Sequence, residues 1–294
     1  MPSTRLPIIG YPLPETLLEG VLRRALALTD GQVDIERWER RPHQLADALA
    51  EVRAGDAFAG ALIASPHKEK APPLSDWLSD DARISGAVSL FVRSDGRLRG
   101  HNTDADGIRE GLRSILPTAQ GRWPRNAVVL GAGGGARAVV AVLIGSGFQH
   151  VAVLNRHLHR AEALVAHFSR TARQMELRAR PWHDAIIEAE LARAELLVNA
   201  SGLGADGTES PIPTELIPGE RYLLDLALAR GSTRLIDAVV AEGGKATNGH
   251  VPFLASLASA IELLTGSSPP GDVLRGALEE ELGDSVEGLS VVGD

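Results

Sequence analysis

Apolar and polar positions alternate along this chain in two successive regimes. In the first third, Leu6 to Ile9 reads as a short strand, Glu15 to Leu28 as a helix, and Ala57 to Ile63 as a second strand that stops before Pro66. Gly86 to Val92 and Arg97 to His101 flank the turn dipeptide Asp95-Gly96, which predicts a hairpin. A helix follows from about Asp104, then a polar loop from Pro117 to Pro124. Beyond it the pattern becomes strictly alternating. Strands are expected at Asn126 to Leu130, Val151 to Leu154, Glu195 to Val198 and Tyr222 to Leu226, with a helix after the first and another from His157 to Ser169. Strands separated by helices at this spacing imply a parallel, doubly wound sheet. After Asn248 the chain turns helical, with helices expected at Phe253 to Leu264 and Gly271 to Leu282.

The 294 residues suit two domains better than one, and 44% hydrophobic residues supply ample core. A net charge of -8 argues against nucleic acid, which demands a dense basic surface. Arg37, Arg40 and Arg41 read as a solvated helix face. No apolar run approaches the ~20 residues of a membrane span. The start lacks a signal-peptide core, and the absence of cysteine excludes disulfides and thiolate chemistry, so a cytoplasmic location is expected. His157 and His159 sit beside arginines, a poor setting for a cation, and no metal is expected.

The chemistry concentrates after the first strand of the second regime. Gly131-Ala132-Gly133-Gly134-Gly135-Ala136 joins that strand to a helix. Gly131 permits the tight turn, Gly133 lets backbone approach a pyrophosphate, and Ala136 lets helix and strand pack closely. At the end of the next strand a carboxylate would bond the ribose 2′-hydroxyl of NAD. Here Asn155 and Arg156 stand instead, with Arg160 one turn on. Guanidinium groups pair with a 2′-phosphate, so NADP is the expected cofactor.

Four stretches, in order, resemble the shikimate and quinate dehydrogenase family: Gly10-Tyr11-Pro12, Ser65-Pro66-His67-Lys68, Gly86-Ala87-Val88 with Gly100-His101-Asn102-Thr103-Asp104, and the nucleotide segment through Asn199-Ala200-Ser201. The resemblance implies an α/β architecture in which an NADP-binding Rossmann-like domain, 105–247, is inserted in a smaller substrate domain, 1–104 plus 248–294, completed by the C-terminal helices. It implies Lys68 and Asp104 as the catalytic pair. It adds Asn199, Ala200, Ser201, Leu226 and Gly249 to the cofactor site. It implies a small-molecule substrate and a monomer or homodimer.

The family's substrate-holding positions are mostly altered. They correspond here to Thr16, Leu18, Leu62, Ala64, Ser89, Leu228 and Ser256, several of them apolar where the family is polar. A buried polar group without a partner costs about 1–3 kcal/mol, so a pocket relined in this way suits a ligand less hydroxylated than shikimate. His67, His101, Arg230 and His250 lie near these motifs and are candidates to hold an acidic group. The expected function is interconversion of an alcohol and a carbonyl, or an amine and an imine, with NADP. A true shikimate dehydrogenase with an unusual pocket and a catalytically silent NADP-binding regulator are the alternatives.

Overall fold

The computed structural model describes residues 4–13, 17–27, 33–117, 124–283 and 291–292. The chain divides into two compact units, Met1–Asp106 with Leu254–Val286 and Gly107–Phe253 with Glu287–Asp294. The sequence reading put the breaks near Asp104 and Thr247. The observed division falls inside helices.

The first unit is built on six strands: β1 (Thr4–Gly10), β2 (Val33–Glu39), β3 (Gly60–Ile63), β4 (Trp77–Leu78), β5 (Leu90–Ser94) and β6 (Arg97–His101), in the order β2-β1-β3-β5-β6-β4. β1 runs parallel to β2 and β3, whereas β3, β5 and β6 are antiparallel. Strand alternation gives the sheet two apolar faces. Ile9, Ala61, Ile63 and Phe91 pack with Trp38 and Phe58 against Leu45, Leu49 and Val52 of α2 (Leu45–Ala54). Ile8, Leu62 and Leu90 form the row on the other face, and all three are buried. α1 (Leu17–Ala27) packs on α10 (Gly271–Leu282), where Arg24 pairs with Glu280 and Glu281.

Three expectations for this unit need correction. Arg37, Arg40 and Arg41 do not line a helix. Arg37 lies in β2, where its guanidinium donates to the Leu13 carbonyl, while Arg40 stacks over Trp38 and Arg41 over Tyr11. The strand expected from Gly86 starts only at Leu90, because Gly86 is the left-handed cap (φ 63°) of a short helix, α3 (Asp80–Ser85). The hairpin turn lies where the sequence put it, with Asp95 and Gly96 both at positive φ. The strand expected over Ala57 to Ile63 is confined to Gly60–Ile63, preceded by a lone bridge from Phe58 to Arg5.

The second unit holds β7 (Asn126–Leu130), β8 (His150–Asn155), β9 (Glu176–Pro181), β10 (Leu196–Asn199), β11 (Tyr222–Asp225), β12 (Lys245–Thr247) and β13 (Val291–Val292). Counting from β7, the first six take the order 3-2-1-4-5-6 of a dinucleotide-binding sheet, all parallel, and β13 adds an antiparallel edge. The crossovers include α5 (Gly134–Gly145), α6 (Leu158–Phe168), α7 (Asp184–Leu191) and α8 (Arg234–Ala241). Val128, Leu130, Leu154, Leu197 and Leu223 form the sheet side of its core, facing Ile187, Leu191 and Val239.

Two long helices cross the boundary between units: α4 (Asp104–Ile115) and α9 (His250–Thr265). Within the second unit Gly107 lies so close to Pro252 that a Cβ there would stand 2.1 Å from the Pro252 carbonyl oxygen. No described helix is long and apolar enough to cross a membrane.

Candidate active site

Lys68 follows β3 through the Ser65–Pro66 cis peptide and a turn closed by His67 N–H to the Ala64 carbonyl. Its own carbonyl accepts the Val88 amide at 2.9 Å, which fixes the backbone under the side chain. Asp104 opens α4. The segment before it is held by buried Asn102, whose Nδ2 donates to Ser85 Oγ at 2.8 Å and to the Ala87 carbonyl at 3.1 Å. These anchors bring together two side chains 36 residues apart. Lys68 Nζ donates to Asp104 Oδ2 at 2.6 Å, and each side chain keeps 21% of its surface exposed. An ion pair this short and partly desolvated holds the ammonium in one place while leaving it reachable.

Beside it lies a chain of hydroxyls that sequence reasoning did not connect. Ser89 Oγ accepts the Thr103 amide at 2.8 Å and lies 3.0 Å from Thr103 Oγ1, which lies 3.1 Å from Ser256 Oγ on α9. The signal available was the polar run Asn102-Thr103-Asp104 at the junction of β6 and α4, of which the first two are buried and Asp104 is half-buried. Of the other positions singled out for substrate, Leu62 belongs to the apolar row of the sheet, while Leu18 and Ala64 are half-buried. Leu228 is half-buried in the second unit, and Thr16 lies outside the described residues.

The four candidate anion holders behave differently. His250 is buried with both ring nitrogens in use: Nδ1 lies 3.1 Å from Asn248 Nδ2 and Nε2 lies 2.9 Å from the Ala229 carbonyl. Nδ1 must therefore accept and Nε2 donate, so the ring is neutral, and burial holds its pKa below the ordinary value. That corrects its expected role, because it braces the start of α9. His67 is likewise buried, its Nε2 2.7 Å from the Arg40 carbonyl, and burial lowers its pKa. His101 is lowered too, again chiefly by burial, and its ring lies against Trp77 at 5.5 Å. Arg230 is exposed.

In the second unit the glycine loop joins β7 to α5. Gly131 has φ 108°, and a Cβ there would stand 2.4 Å from the Ala200 carbonyl oxygen. Ala132, Gly134 and Ala136 are buried, whereas Gly133, the N-cap of α5, and Gly135 are half-exposed. The first turn of α5 carries no acidic residue, so nothing opposes an anion at this helix start. At the end of β8, Asn155 Nδ2 closes a turn onto the His157 carbonyl at 2.9 Å, while Arg156 and Arg160 are exposed. The first turn of α6 is also free of acid. A glycine at 131 that cannot be replaced without backbone collision, an unopposed helix N-terminus and arginines where a carboxylate would select NAD together fit a phosphorylated dinucleotide.

The loop after β10 is fixed from below. Asn199 Nδ2 donates to Asp225 Oδ1 at 2.8 Å and to the Leu203 carbonyl at 3.0 Å, and Asn199 Oδ1 accepts Ser201 Oγ at 2.6 Å. Asp225 also accepts Ala227 N and Thr233 Oγ1. Burial pushes the Asp225 carboxyl up, against the opposing pull of those three donors. The Leu226 amide donates to the Asn199 carbonyl at 2.9 Å. A Cβ at Gly249 would stand 2.6 Å from the Ala227 carbonyl oxygen, so its glycine is required by packing alone. A cavity of about 280 Å³ lies at the opposite, amino ends of β7 to β9. Its charged rim closes on itself through His150–Glu176 and Arg178–Glu176 pairs. Among the described residues no group of three or more metal-binding side chains gathers.

Comparison with known proteins identifies the family. Residues 8–90 match the model of the shikimate dehydrogenase substrate binding domain, and residues 118–202 that of shikimate / quinate 5-dehydrogenase. A shikimate dehydrogenase (NADP(+)) of Streptococcus pneumoniae is 30% identical over 278 residues, covering 93% of this chain and 95% of that protein. The chain belongs to the shikimate dehydrogenase family. It is therefore an oxidoreductase of the kind that acts on a CH–OH group. A shikimate dehydrogenase (NADP(+)) of Brucella abortus is 32% identical over 271 residues, covering 89% of each chain. The crystal structure of shikimate 5-dehydrogenase from Thermus thermophilus in complex with NADP(H) and shikimate is similar at a TM-score of 0.78 and 32% identity, covering 94% of this chain and 99% of that one.

Proposed function

We propose that this chain interconverts a secondary alcohol and a carbonyl on a small substrate carrying fewer hydroxyls than shikimate. NADP is the cofactor. The observation that carries the reading is the Lys68–Asp104 pair, with a 2.6 Å bond and both groups still reachable. NADP bound at the Gly131 loop and Arg156 supplies the hydride acceptor or donor. In oxidation the Lys68 amine takes the hydroxyl proton, and in reduction its ammonium returns it. Asp104 accepts an N–H of Lys68 and holds its nitrogen at one position.

Substrate choice is carried by the residues around that pair. Leu18, Leu62 and Ala64 offer no hydrogen bond, and Ser89 spends its hydroxyl on Thr103. A trihydroxylated carboxylate would leave several polar groups without partners, each costing about 1–3 kcal/mol. The relatives at 30% and 32% identity are shikimate dehydrogenases, which supports shikimate itself as the second reading. Steady-state rates with NADP decide between them. On the first reading shikimate is a poor substrate and cyclic alcohols with fewer hydroxyls are better ones. A specificity constant for shikimate of ~10⁴ M⁻¹s⁻¹ or more establishes the second. On either substrate Lys68→Ala lowers turnover by about 10²–10⁴-fold while NADP affinity holds, and full turnover in that variant would refute the pair's role.

A further inference from the structure

Asp225 is a buried titratable group that the proton-transfer chemistry does not use. It ends β11 with no exposed surface, and its register partner across the sheet is Asn199 at the end of β10. Oδ1 accepts Asn199 Nδ2 at 2.8 Å and the Ala227 amide at 3.0 Å, and Oδ2 accepts Thr233 Oγ1 at 2.7 Å. The two amide groups can only donate, and Thr233 Oγ1, the cap of α8, already accepts the Ile236 amide at 3.2 Å. A protonated carboxyl would bury its O–H against three donors, so the group is a carboxylate. No charged side chain is among the groups that act on it. Hydrogen bonds and the start of α8 hold an anion whose counter-charge the protein does not supply, a costly arrangement in an interior.

We infer that Asp225 is the counter-charge of the oxidised, cationic nicotinamide, and that it biases the bound cofactor toward NADP⁺ over NADPH. The residues that follow the two strand ends lie against the nucleotide loop. A Cβ at Gly131 would stand 2.4 Å from the Ala200 carbonyl oxygen, and one at Gly135 would stand 3.9 Å from Leu226 Cδ1. In this strand order a dinucleotide crosses the crevice at the carboxyl ends of the strands, between β7 and β10. With the 2′-phosphate at Arg156, beyond β8, the nicotinamide half belongs on the side of β10 and β11. Hydride arriving at the ring removes its positive charge, so the carboxylate shifts the equilibrium on the protein toward NADP⁺ and the reduced substrate. The inference rests on the Gly131 loop as the seat of the cofactor.

Affinity, rather than turnover, tests this. Calorimetry gives the dissociation constants of NADP⁺ and NADPH for the native protein and for Asp225→Asn. The amide keeps the size of the side chain and an oxygen for the Asn199 and Ala227 donors, and the Thr233 hydroxyl can turn to accept from it. Only the charge is lost. Asp225→Asn should weaken NADP⁺ by about fivefold or more relative to NADPH, because the two forms differ in charge only at the nicotinamide. A merely structural brace would weaken both forms alike, and a ratio of the two constants equal to the native one would overturn the inference. Gly135→Ala, measured alongside, should weaken both forms equally. Where it does so and the ratio in Asp225→Asn has not moved, the loop still seats the cofactor and the counter-charge alone is refuted. A measurement on the native chain guards against a variant that does not fold. Carbon NMR of the isotopically labelled native protein at neutral pH should show Asp225 as a carboxylate, and a protonated carboxyl there would equally overturn the inference.

Discussion

Two glycines four residues apart in the nucleotide loop should respond to alanine with opposite signs. At Gly131 the φ of 108° is one that L side chains avoid, which costs of order 1–3 kcal/mol. The added Cβ would also meet the Ala200 carbonyl oxygen at 2.4 Å and its carbon at 2.7 Å. That carbonyl cannot step aside easily, because the Ala200 amide is bonded to the Leu130 carbonyl at 2.8 Å in the ladder between β7 and β10. Forced overlap adds about 1–3 kcal/mol, so Gly131→Ala should lose about 2–6 kcal/mol in all. At Gly135 the added methyl would meet only Leu226 Cδ1 at 3.9 Å, an ordinary contact. Placing alanine in a helix gains up to about 1 kcal/mol over glycine, so Gly135→Ala should match or exceed the native protein in stability. It should nonetheless bind NADPH at least tenfold more weakly, about 1.4 kcal/mol, since the methyl occupies the half-exposed face offered to the pyrophosphate. Urea unfolding followed by circular dichroism, with NADPH fluorescence titrations on the same preparations, measures both quantities. A Gly131→Ala protein within 0.5 kcal/mol of native stability, or a Gly135→Ala protein with undiminished affinity, would refute the assignment of the loop.

Other consequences can be checked more briefly. Arg156→Ala should erase most of a preference of at least tenfold for NADP over NAD, seen by calorimetry. Equal affinities in the native protein would remove the phosphate role of the arginines. Asp104→Asn should lower turnover in steady-state assays, because the amide keeps the shape but replaces the carboxylate that accepts the Lys68 N–H at 2.6 Å; turnover equal to that of the native protein would remove Asp104 from the pair. His67, His101 and His250 all have pKa values below the ordinary histidine range, chiefly through burial. Such groups take up protons on unfolding. Their contribution is complete above the unfolded value of about 6.5 and is lost as pH falls below it toward the folded values. Denaturation midpoints should therefore drop between pH 7 and 5, and His250→Gln should flatten that slope; a slope unchanged by the variant would show that His250 does not titrate with unfolding.

What the sequence showed follows physical lines. Buried parallel strands such as Asn126 to Leu130 are continuous apolar runs and were legible to the residue. β9 was not, because this edge strand, Glu176-Leu177-Arg178-Ala179-Arg180-Pro181, carries charges at alternate positions and reads as loop. β2 was not legible because it does not alternate: its buried residues Ile35 and Trp38 stand three apart, on opposite faces of the strand, a spacing that beside Arg37 reads as a helix. Lys68 and Asp104 were found through their motifs, and no periodicity could have told that they meet. Thr103 was visible only as a residue beside a helix start. Its bonds to Ser89 and Ser256 join positions 14 and 153 residues away, which depend on tertiary packing.

The close approach of Gly107 to Pro252 bears on how the chain reaches its native state. The first unit is interrupted by a run of roughly 150 residues, and closing a loop of that length costs on the order of 4 kcal/mol in chain entropy beyond a constant. The interrupting run is nearly continuous in sequence, and its two ends touch where the Gly107 backbone meets the Pro252 carbonyl. If it folds first, the closure is complete before α9 has to find β6 and α4, and the first unit assembles as though its two pieces were neighbours in the chain. A side chain at position 107 would part those ends, so Gly107→Val should slow refolding of the first unit more than it speeds its unfolding.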